Sequence, residues 1–422
     1  MAPAAPVWGT SAASAIATAT AGLEGFGSAT FEAVLDRDTV SRNVGGNQVK
    51  LLLDGVNSFA ERDAMIAGAK SSICLQTFIF NSDETGWKLA QALADKAKAG
   101  VKVRVIYDAV GSSRADPKMF DLMKQAGVEL RPYGQKWQVW ELNDRWHEKH
   151  LIVDGQASVE GGMNVANEYA WGGTGQLVTS RGATPTEAWR DVDLKLQGPA
   201  VADATAAFLR NWSKLGDPVS DADRAALFPT LTPVEGGTKV RVVQAAPTST
   251  TLDHTAERLY VDAISTAKKS ITIENAYFLP PPEIRDALIA AAKRGVDVQV
   301  LTNSRTSSDM TEVADAARYF YDDLIDAGVH VNEKQGGTLH AKTATFDGQF
   351  SIVGSVNLNG RSTNLDAEDA LAVEDPTVAS QLEQRFAQGL TVSTPVTSDE
   401  LKHEDLVTNL KQWALSQLAW TF

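Results

Sequence analysis

Two octapeptides, HEKHLIVD at His147–Asp154 and HAKTATFD at His340–Asp347, share one pattern: a histidine, any residue, a lysine, four residues and an aspartate. Each is followed by a glycine-rich turn that ends in asparagine, GGMN at Gly161–Asn164 and GSVN at Gly354–Asn357. Both asparagines lie 17 residues after their histidine, and the chain contains only six histidines. The shared spacing therefore indicates one structural unit that occurs twice.

Other segments repeat in the same order around the two octapeptides. The run Lys70–Phe80 is similar to Lys269–Leu279, and Ala99–Asp108 is similar to Arg294–Asn303, with an offset near 195 residues. In both halves apolar, β-rich runs alternate with Ala-rich amphipathic stretches, which is typical of βαβ units. The sequence predicts an α/β fold of two fused halves related by a pseudo-two-fold axis, each a mostly parallel sheet flanked by helices, with the active site at their interface.

The length and the composition of one segment suggest where the halves join. The chain has 422 residues, more than one ordinary hydrophobic core fills. Pro, Asp and Gly concentrate between Asp217 and Lys239, so we place the join near Glu235. The predicted organisation is an N-terminal extension over residues 1–40, an N-terminal half over residues 41–235 and a C-terminal half over residues 236–422.

Composition narrows the class of protein without naming a reaction. The formal net charge of −14 argues against a broad electrostatic contact with nucleic acid, so no nucleic-acid partner is expected. No stretch reaches the about 18 to 20 apolar residues that span a bilayer, so any membrane contact is expected to be peripheral. The N-terminal segment is not an intact signal peptide. The compartment is left open, and a periplasmic or secreted protein whose leader is missing from this sequence is one interpretation.

The residue types in the octapeptides suit chemistry at a phosphodiester. In extended backbone His147 and Lys149 point to the same side, as do His340 and Lys342, so each motif places an imidazole beside an ammonium group. The ammonium group is predicted to hold a phosphate oxygen, while the imidazole attacks phosphorus or moves a proton. A displacement divided in this way through a covalent phosphohistidine requires no metal, and we expect no cofactor.

The turns and the motif aspartates have separate predicted roles. Asn164 and Asn357 are predicted to donate amide hydrogens to phosphate oxygens, and Ser355 to add a hydroxyl. A purely local role for the asparagines is the alternative, because Asn is common in turns. Asp154 and Asp347 lie an odd number of residues beyond their histidines, and we interpret them as structural anchors of the strand and its turn.

The duplicated pattern resembles the phospholipase D superfamily, whose signature is the repeated His-x-Lys-x4-Asp motif, over about residues 47–373. The flanking segments QTFIFNSDETG, GGMNVANEYAW, WRDVDLKLQGPAV and GSVNLNGRS are most similar to the bacterial cardiolipin synthase branch. In that family a carboxylate supports each histidine. The resemblance implies Glu368 as the partner of His340, and Asp191, in preference to Asp193, as the partner of His147.

Two positions depart from the family pattern. Gly162 stands in the first turn where the second turn has Ser355, and Asp366 stands where relatives often carry asparagine. The resemblance favours His147 as the nucleophile and His340 as the general acid and base. The symmetric motif alone does not decide between the two histidines.

The activity that the resemblance implies is that of a phospholipase D or phosphatidyltransferase. Such an enzyme cleaves or exchanges the head-group phosphodiester of a glycerophospholipid, with water or an alcohol as acceptor. A nuclease or other non-lipid phosphodiesterase is the alternative, which the acidic charge disfavours. A binding protein that retained only the fold is a third possibility, against which the two intact motifs argue.

Some residues outside the repeat are interpreted structurally. Trp-rich segments before the first motif and at Leu410–Phe422 leave membrane contact and packing on the core open, and for the C-terminal segment packing is favoured. The first of these segments contains Trp137, Trp140 and Trp146. Four histidines have no repeated partner and are expected at the surface or as hydrogen-bonded core residues: His150, His254, His330 and His403.

Overall fold

The computed structural model describes four segments of the chain: residues 24–134, 145–178, 186–248 and 251–418. Trp137 and Trp140 of the first Trp-rich segment lie outside the described residues, as do Trp420 and Phe422 of the second. Strands and helices alternate along the described chain, and the predicted α/β class is confirmed.

Residues 24–235 form nine strands and seven helices in their described part. Two of these strands, β7 and β8, pair only with each other. The elements are α1 (Ala29–Thr39), β1 (Val44–Leu53), α2 (Asp54–Gly68), β2 (Ser72–Thr77), α3 (Glu84–Lys98), β3 (Lys102–Asp108), α4 (Pro117–Gln125), β4 (Glu129–Tyr133), β5 (His150–Val153), β6 (Ala157–Gly161), α5 (Asn167–Ala170), β7 (Leu177–Val178), β8 (Thr186–Glu187), β9 (Val192–Gln197), α6 (Val201–Lys214) and α7 (Asp221–Leu227).

Residues 236–418 form eight strands and eight helices in their described part. The strands all belong to the large sheet. The elements are β10 (Thr238–Ala245), α8 (Thr255–Thr266), β11 (Ser270–Asn275), α9 (Pro282–Lys293), β12 (Asp297–Asn303), α10 (Thr311–Arg318), α11 (Tyr321–Asp326), β13 (His330–Lys334), β14 (Lys342–Phe346), β15 (Phe350–Gly354), α12 (Gly360–Asn364), β16 (Glu368–Glu374), α13 (Pro376–Leu390), β17 (Ser393–Pro395), α14 (Ser398–Lys402) and α15 (Leu406–Ser416).

The strand order of the large sheet carries the predicted two-fold symmetry. Fifteen strands lie in the order β17-β13-β12-β11-β14-β15-β16-β10-β1-β9-β6-β5-β2-β3-β4. Outward from β10 the strands are β16, β15, β14, β11, β12 and β13, and outward from β1 they are the corresponding β9, β6, β5, β2, β3 and β4. The pseudo-two-fold axis therefore passes between β1 and β10, and the duplicated architecture is confirmed.

The sheet is mixed, and parallel pairing is confined to the outer part of each half. The trios β2-β3-β4 and β11-β12-β13 are parallel. The pairs nearer the axis are antiparallel, including β5 with β6 and β14 with β15. The predicted parallel pairing is therefore found in these trios, and the sheet as a whole is mixed. The reason is that the motif strands return through tight turns, and short connections join antiparallel neighbours.

The motif aspartates fix these turns. Asp154 and Asp347 adopt positive φ angles of 54° and 53°. The Asp154 carboxylate accepts hydrogen bonds of 2.7 to 3.2 Å from the backbone amides of residues 70–72. The Asp347 carboxylate accepts bonds of 2.7 to 3.1 Å from the amides of residues 268–270. Each aspartate therefore ties the end of a motif strand to the start of the neighbouring strand, β2 or β11.

The hydrophobic core continues across the pseudo-two-fold axis. One cluster of buried side chains includes Phe208 and Trp212 of α6 together with Val373 of β16 and Phe386 of α13. Each half also has its own cluster. Phe31 of α1 belongs to the cluster of the C-terminal half, so the described end of the predicted N-terminal extension packs on that half. The shared cluster holds the two motif regions at a fixed separation.

Replacing Asp154 by alanine is expected to lower the free energy of unfolding at neutral pH by about 1–3 kcal/mol. The substitution removes the acceptor for three amides and places alanine at a positive φ. Asparagine tolerates this φ and keeps one acceptor oxygen, so Asp154→Asn should cost less. Asp286→Ala, at an exposed position on α9, is the control. Urea denaturation measures all three, and equal stability of the two Asp154 variants would contradict this role.

The same variants have an expected pH dependence. Burial favours the neutral carboxyl, but the amide donors of Ser72, Ser71 and Lys70 outweigh it and lower the pKa of Asp154. A carboxylate with a lowered pKa stabilises the fold above its unfolded-state pKa, and this stabilisation is lost as the pH falls through its folded-state pKa. The difference between wild type and Asp154→Ala should therefore shrink in acid.

Candidate active site

The two motif histidines are docked on backbone of the opposite half. The amide of His147 donates to the carbonyl of Ala367 at 2.9 Å, and the amide of His340 donates to the carbonyl of Arg190 at 2.7 Å. Isolated parallel β-bridges lie beside both contacts. The segments that lead into β16 and β9 therefore cross the pseudo-two-fold axis to meet the motifs.

The segment that crosses to each motif histidine also supplies the carboxylate that contacts its ring. His147 Nδ1 lies 3.0 Å from both carboxylate oxygens of Glu368. His340 Nδ1 lies 2.8 Å from Asp191 Oδ2. The predicted pairing within each half, Glu368 with His340 and Asp191 with His147, is wrong. Because β9 and β16 lie next to the central strands, the residues where these strands begin reach the other motif.

The competing aspartate has a different partner. Asp193 Oδ2 is 2.7 Å from a guanidinium nitrogen of Arg62 and accepts a hydrogen bond of 2.5 Å from the Ser58 hydroxyl. Both Asp193 and Arg62 are buried. The structure therefore places Asp191, and not Asp193, against a motif histidine.

The first turn has Gly162 where the second has Ser355, and the carboxylates of Asp191 and Glu368 explain this difference. Ser355 Oγ donates to Glu368 Oε2 and accepts from the amide of Asp369 at 3.0 Å. Its side chain is fully buried behind Glu368 and is not among the described residues that line the cavity, so the hydroxyl supports this carboxylate. Direct contact of Ser355 with phosphate stays a prediction. A Cβ atom on Gly162 would lie 2.2 Å from Asp191 Oδ1. Glycine is needed there because Asp191 occupies the space.

Both histidines face one cavity of about 380 Å³, which Asn164 and Asn357 also line. The Asn164 carbonyl accepts from the amide of Ile79 at 2.9 Å, and its amide donates to the Tyr169 hydroxyl at 2.9 Å. Asn357 Oδ1 is buried and has no hydrogen-bond partner among the described residues. The structure thus brings both motif histidines and both turn asparagines to the same cavity.

The motif lysines lie beneath the histidines. Lys149 Nζ donates to the carbonyl of His147, and Lys342 Nζ lies 2.9 Å from His340 Nδ1 and 3.1 Å from Nε2. Both lysines are almost completely buried, and neither is among the described residues that line the cavity. The first pair precedes β5, so the strand geometry expected for it does not apply. Direct contact of the lysines with phosphate stays a prediction.

An aromatic wall surrounds His340, and the sequence did not predict it. The ring centroids of Trp189, Tyr169 and Tyr277 lie 5.1, 5.0 and 6.4 Å from that of His340. All three rings also line the cavity. Trp189 is two residues before Asp191, so its place beside a predicted site residue was the available signal. Tyr277 has no such signal, because it comes from a loop after β11.

Two arginines of the cavity were also missed. Arg145 and Arg361 come from different halves and both line the cavity. Arg361 lies 2.9 Å from Asp366 Oδ1, and the backbone amide of Arg145 donates to the same oxygen at 3.2 Å. The Arg145 guanidinium is 3.6 Å from Asp108. Asp366, one of the departures from the family pattern, therefore joins two cationic residues at the interface.

Burial controls the charges of the catalytic candidates. Burial, together with the ammonium groups of Lys149 and Lys342, lowers the pKa of His147 well below its usual range. Burial raises the pKa of Glu368 to about 7 and that of Asp191 to about 6. Burial also lowers the pKa of Lys342 to about 7. The His147 imidazole is therefore neutral at neutral pH, which a nitrogen nucleophile requires.

The sequence profile of the cardiolipin synthase, PLD-like domain family matches residues 63–171 and 260–390. The chain belongs to this family. The major cardiolipin synthase ClsA of Bacillus subtilis (strain 168) is 32% identical over 378 residues, which cover 87% of this chain and 73% of that protein. A cardiolipin synthase of Clostridium perfringens (strain SM101 / Type A) is 30% identical over 370 residues, which cover 86% of this chain and 75% of that protein.

Solved structures share the fold of this PLD-like chain. Phosphatidylserine synthase of Haemophilus influenzae Rd KW20 has a TM-score of 0.68 at 16% identity, over 89% of this chain and 95% of that one. Polyphosphate kinase of Porphyromonas gingivalis has a TM-score of 0.55 at 12% identity, over 87% of this chain and 52% of that one. At such identities the likeness concerns the fold. The predicted membership of the phospholipase D superfamily, and with it an enzyme, is confirmed.

The crossed pairing in this PLD-like site is tested by the ring protons of the two histidines. Glu368→Gln is expected to shift the Nδ1 proton and nitrogen resonances of His147 and to leave those of His340 in place. Asp191→Asn should do the reverse, because each substitution changes the acceptor of one ring only. Spectra of protein labelled with ¹⁵N-histidine measure this, and Asp193→Asn is the matched control. An effect of Glu368→Gln on His340 alone would restore the pairing within each half.

Proposed function

We propose that the chain is a phosphatidyltransferase or phospholipase D that cleaves or exchanges the head-group phosphodiester of a glycerophospholipid. Two sets of findings support this function. The curated relatives are named cardiolipin synthases, and the family profile covers both halves. The observation that carries the proposal is the crossed pairing, because it aims two histidines of fixed ring orientation at one cavity.

In the first step of the proposed reaction, the lone pair of His147 Nε2 attacks phosphorus. A P–N bond forms, and the bond from phosphorus to the head-group oxygen breaks. His340, in its protonated form, gives a proton to the departing oxygen, so that the head group leaves as a neutral alcohol. Glu368 accepts a hydrogen bond from the Nδ1–H group of His147, and its negative charge offsets the positive charge of the phosphorylated ring.

In the second step, water or an alcohol attacks phosphorus and the P–N bond breaks. His340, now neutral, accepts the proton of the incoming oxygen, and Asp191 stabilises the resulting imidazolium cation. Attack by water yields phosphatidic acid, whereas attack by the hydroxyl of an alcohol yields a new phosphodiester. Both histidines are returned to their starting protonation states, so the cycle is balanced.

The assignment of the nucleophile to His147 has its own support. Burial and two ammonium groups keep the pKa of His147 low and its ring neutral. The contact of Nδ1 with Glu368 leaves Nε2 as the nitrogen that carries the lone pair. His340 has aromatic rings on several sides and is held through Nδ1 by Asp191. This arrangement fixes the orientation of the His340 ring, as a proton donor and acceptor requires.

Stabilisation of the phosphate is proposed to come from both halves. Asn164 and Asn357 line the cavity and carry amide hydrogens suited to non-bridging oxygens. Lys149 and Lys342 place buried positive charge beneath the histidines, where the low dielectric strengthens its effect on a developing negative charge. The roles are shared between the halves, so neither half is expected to act alone.

A lipid substrate requires contact with a membrane or micelle, and α15 offers an outward apolar surface. Leu406, Val407 and Leu410 are 83, 78 and 60% exposed, whereas the polar side chains of Gln412 and Ser416 on the same helix are buried. An amphipathic helix in water normally turns its apolar side to the core. Within the described residues, no helix is long and apolar enough to cross a membrane.

The position of α15 connects this surface to the cavity. Lys411 of α15 is 2.6 Å from Asp315 in the middle of α10, and Glu404, which precedes α15, is 3.0 Å from Arg318 at the C-terminal end of α10. The helix therefore docks on the protein body through polar contacts and through Leu415, which packs against the hydrophobic cluster of the C-terminal half. Val313, also on α10, lines the cavity. We propose that the apolar side of α15 makes peripheral contact with the lipid surface from which the substrate enters.

The double variant Val407→Asp and Leu410→Asp is expected to bind phospholipid vesicles at least about tenfold more weakly than wild type, because two charged side chains must enter the interface. Co-sedimentation with vesicles measures the binding. Gln125→Asp, at an exposed position on α4, controls for added negative charge. Turnover of a water-soluble, short-chain phospholipid should be unchanged. Vesicle binding equal to that of wild type would exclude α15 as the contact surface.

Incubation with phosphatidylglycerol or phosphatidylcholine, followed by separation of the products, tests the proposed activity. Wild type is expected to release the head group and form phosphatidic acid, or a new phosphatidyl ester when alcohol is added. His147→Ala and His340→Ala should each lower turnover by more than about 10³-fold, because each histidine acts in both displacements. His330→Ala, at an exposed histidine outside the cavity, is the matched control.

The alternative substrate is tested in the same experiment with a labelled oligonucleotide and with bis(p-nitrophenyl) phosphate. Hydrolysis of the oligonucleotide without any lipid product would replace the proposed function by that of a nuclease. Cleavage of the synthetic diester alone would retain the phosphodiesterase chemistry and reject the lipid substrate.

A further inference from the structure

A second polar cluster lies buried between the two halves. It contains His150 of β5, Glu160 of β6 and Asp369 of β16, and one potential ligand atom from each lies within 4.8 Å of the others. His150 and Glu160 are register partners on adjacent strands, so their side chains lie side by side on one face of the sheet. Asp369 reaches them from the C-terminal half. All three residues are at most 1% exposed.

The side chains of this cluster have unused hydrogen-bonding atoms. Among the described residues, no hydrogen bond is found for either ring nitrogen of His150, for Glu160 Oε2 or for Asp369 Oδ2. His150 therefore occupies one of the two kinds of position expected for it, a core position, where it lies between the carboxylates of Glu148 and Glu160. Buried polar atoms are nearly always paired in proteins, so unpaired atoms that converge from three strands indicate a missing partner.

The other oxygen of each carboxylate is occupied. Glu160 Oε1 accepts from the Ser158 hydroxyl at 2.7 Å, and Asp369 Oδ1 accepts from the backbone amide of Lys149 at 3.3 Å. His150 Nδ1 is 3.7 Å from Glu160, whereas Nε2 faces Glu148 at 4.0 Å. The Nδ1 atom of His150 therefore points into the cluster, and its Nε2 atom points to the Glu148 carboxylate outside the cluster. This arrangement is typical of histidines that bind metal ions.

The charge of the cluster also requires compensation. Glu148, Glu160 and Asp369 are buried together, and in the described parts of the chain no lysine or arginine nitrogen lies within 4.0 Å of their carboxylates. Elsewhere between the halves, the buried Glu274 is paired with Arg190 at 2.7 Å. Three buried carboxylates around a single imidazole are costly in a dry interior. A bound cation would supply the balance that Arg190 supplies to Glu274.

We propose that His150, Glu160 and Asp369 bind a divalent transition-metal ion, with Zn²⁺ as the best fit. One imidazole nitrogen and carboxylate oxygens suit this ion, and tetrahedral bonds of about 2.0 to 2.2 Å place its ligand atoms about 3.3 to 3.6 Å apart. The His150–Glu160 distance of 3.7 Å requires only a small contraction. Because the ligands come from both halves, the ion would tie β5 and β6 to β16 behind the cavity. Its role is structural and separate from the proposed reaction.

The proposal is tested by the metal content of the full-length protein after growth with Zn²⁺ and dialysis against metal-free buffer. Mass spectrometry of the metals is expected to find about one zinc per chain in wild type. Glu160→Gln should lower this content by about tenfold or more, because it removes one anionic ligand. His330→Ala, which changes an exposed histidine, should retain the ion. X-ray absorption should show nitrogen and oxygen ligands without sulfur.

A second measurement, the stability of the wild-type protein towards urea, depends neither on enzymatic activity nor on any single variant. A strong chelator should lower the urea midpoint of wild-type unfolding, and added Zn²⁺ should restore it, since an ion bound only by the folded state stabilises it. Glu160→Gln should show neither response. Wild-type protein that contains no metal above background, and whose midpoint is insensitive to chelator and to Zn²⁺, would overturn the proposal. A protonated His150 would then balance the carboxylates.

Discussion

The contact of each motif histidine with a carboxylate from the opposite half is the constraint on which the site depends. His147 meets Glu368, and His340 meets Asp191, across the pseudo-two-fold axis. Neither motif histidine is paired with a carboxylate of its own half, so the site is complete only when the halves are joined. The buried cluster shared between α6, β16 and α13 holds that junction. Packing of the interface is therefore a condition for chemistry.

The same crossing makes the two histidines unequal. Glu368 is one methylene longer than Asp191 and has the Ser355 hydroxyl behind it, whereas Asp191 needs the empty space of Gly162. The two imidazoles consequently have different surroundings, and burial beside two lysines keeps His147 neutral. A symmetric fold can therefore support one nucleophile and one proton carrier. The small differences between the repeats allow this division of roles.

Much of the fold and part of the site follow from the sequence. The repeated spacing identified both halves, and both histidines and both turn asparagines line the cavity, because equal spacing places them at equal positions in the two halves. The carboxylate pairing could not be predicted, since it depends on β9 and β16 lying beside the axis, which no local pattern encodes. Tyr277 and Arg145 were missed for a related reason: their loops reach the cavity only in the folded protein.

The most direct test of a single site with unequal histidines is to map the phosphorylated residue. Rapid quenching of the enzyme with a phosphodiester substrate at neutral to alkaline pH, followed by peptide mass spectrometry, preserves the acid-labile phosphohistidine. We expect phosphate on His147 in wild type, and its accumulation in His340→Ala with an activated substrate whose leaving group needs no proton. Phosphate on His340 would reverse the roles. Turnover without any phosphohistidine would contradict the two-step mechanism.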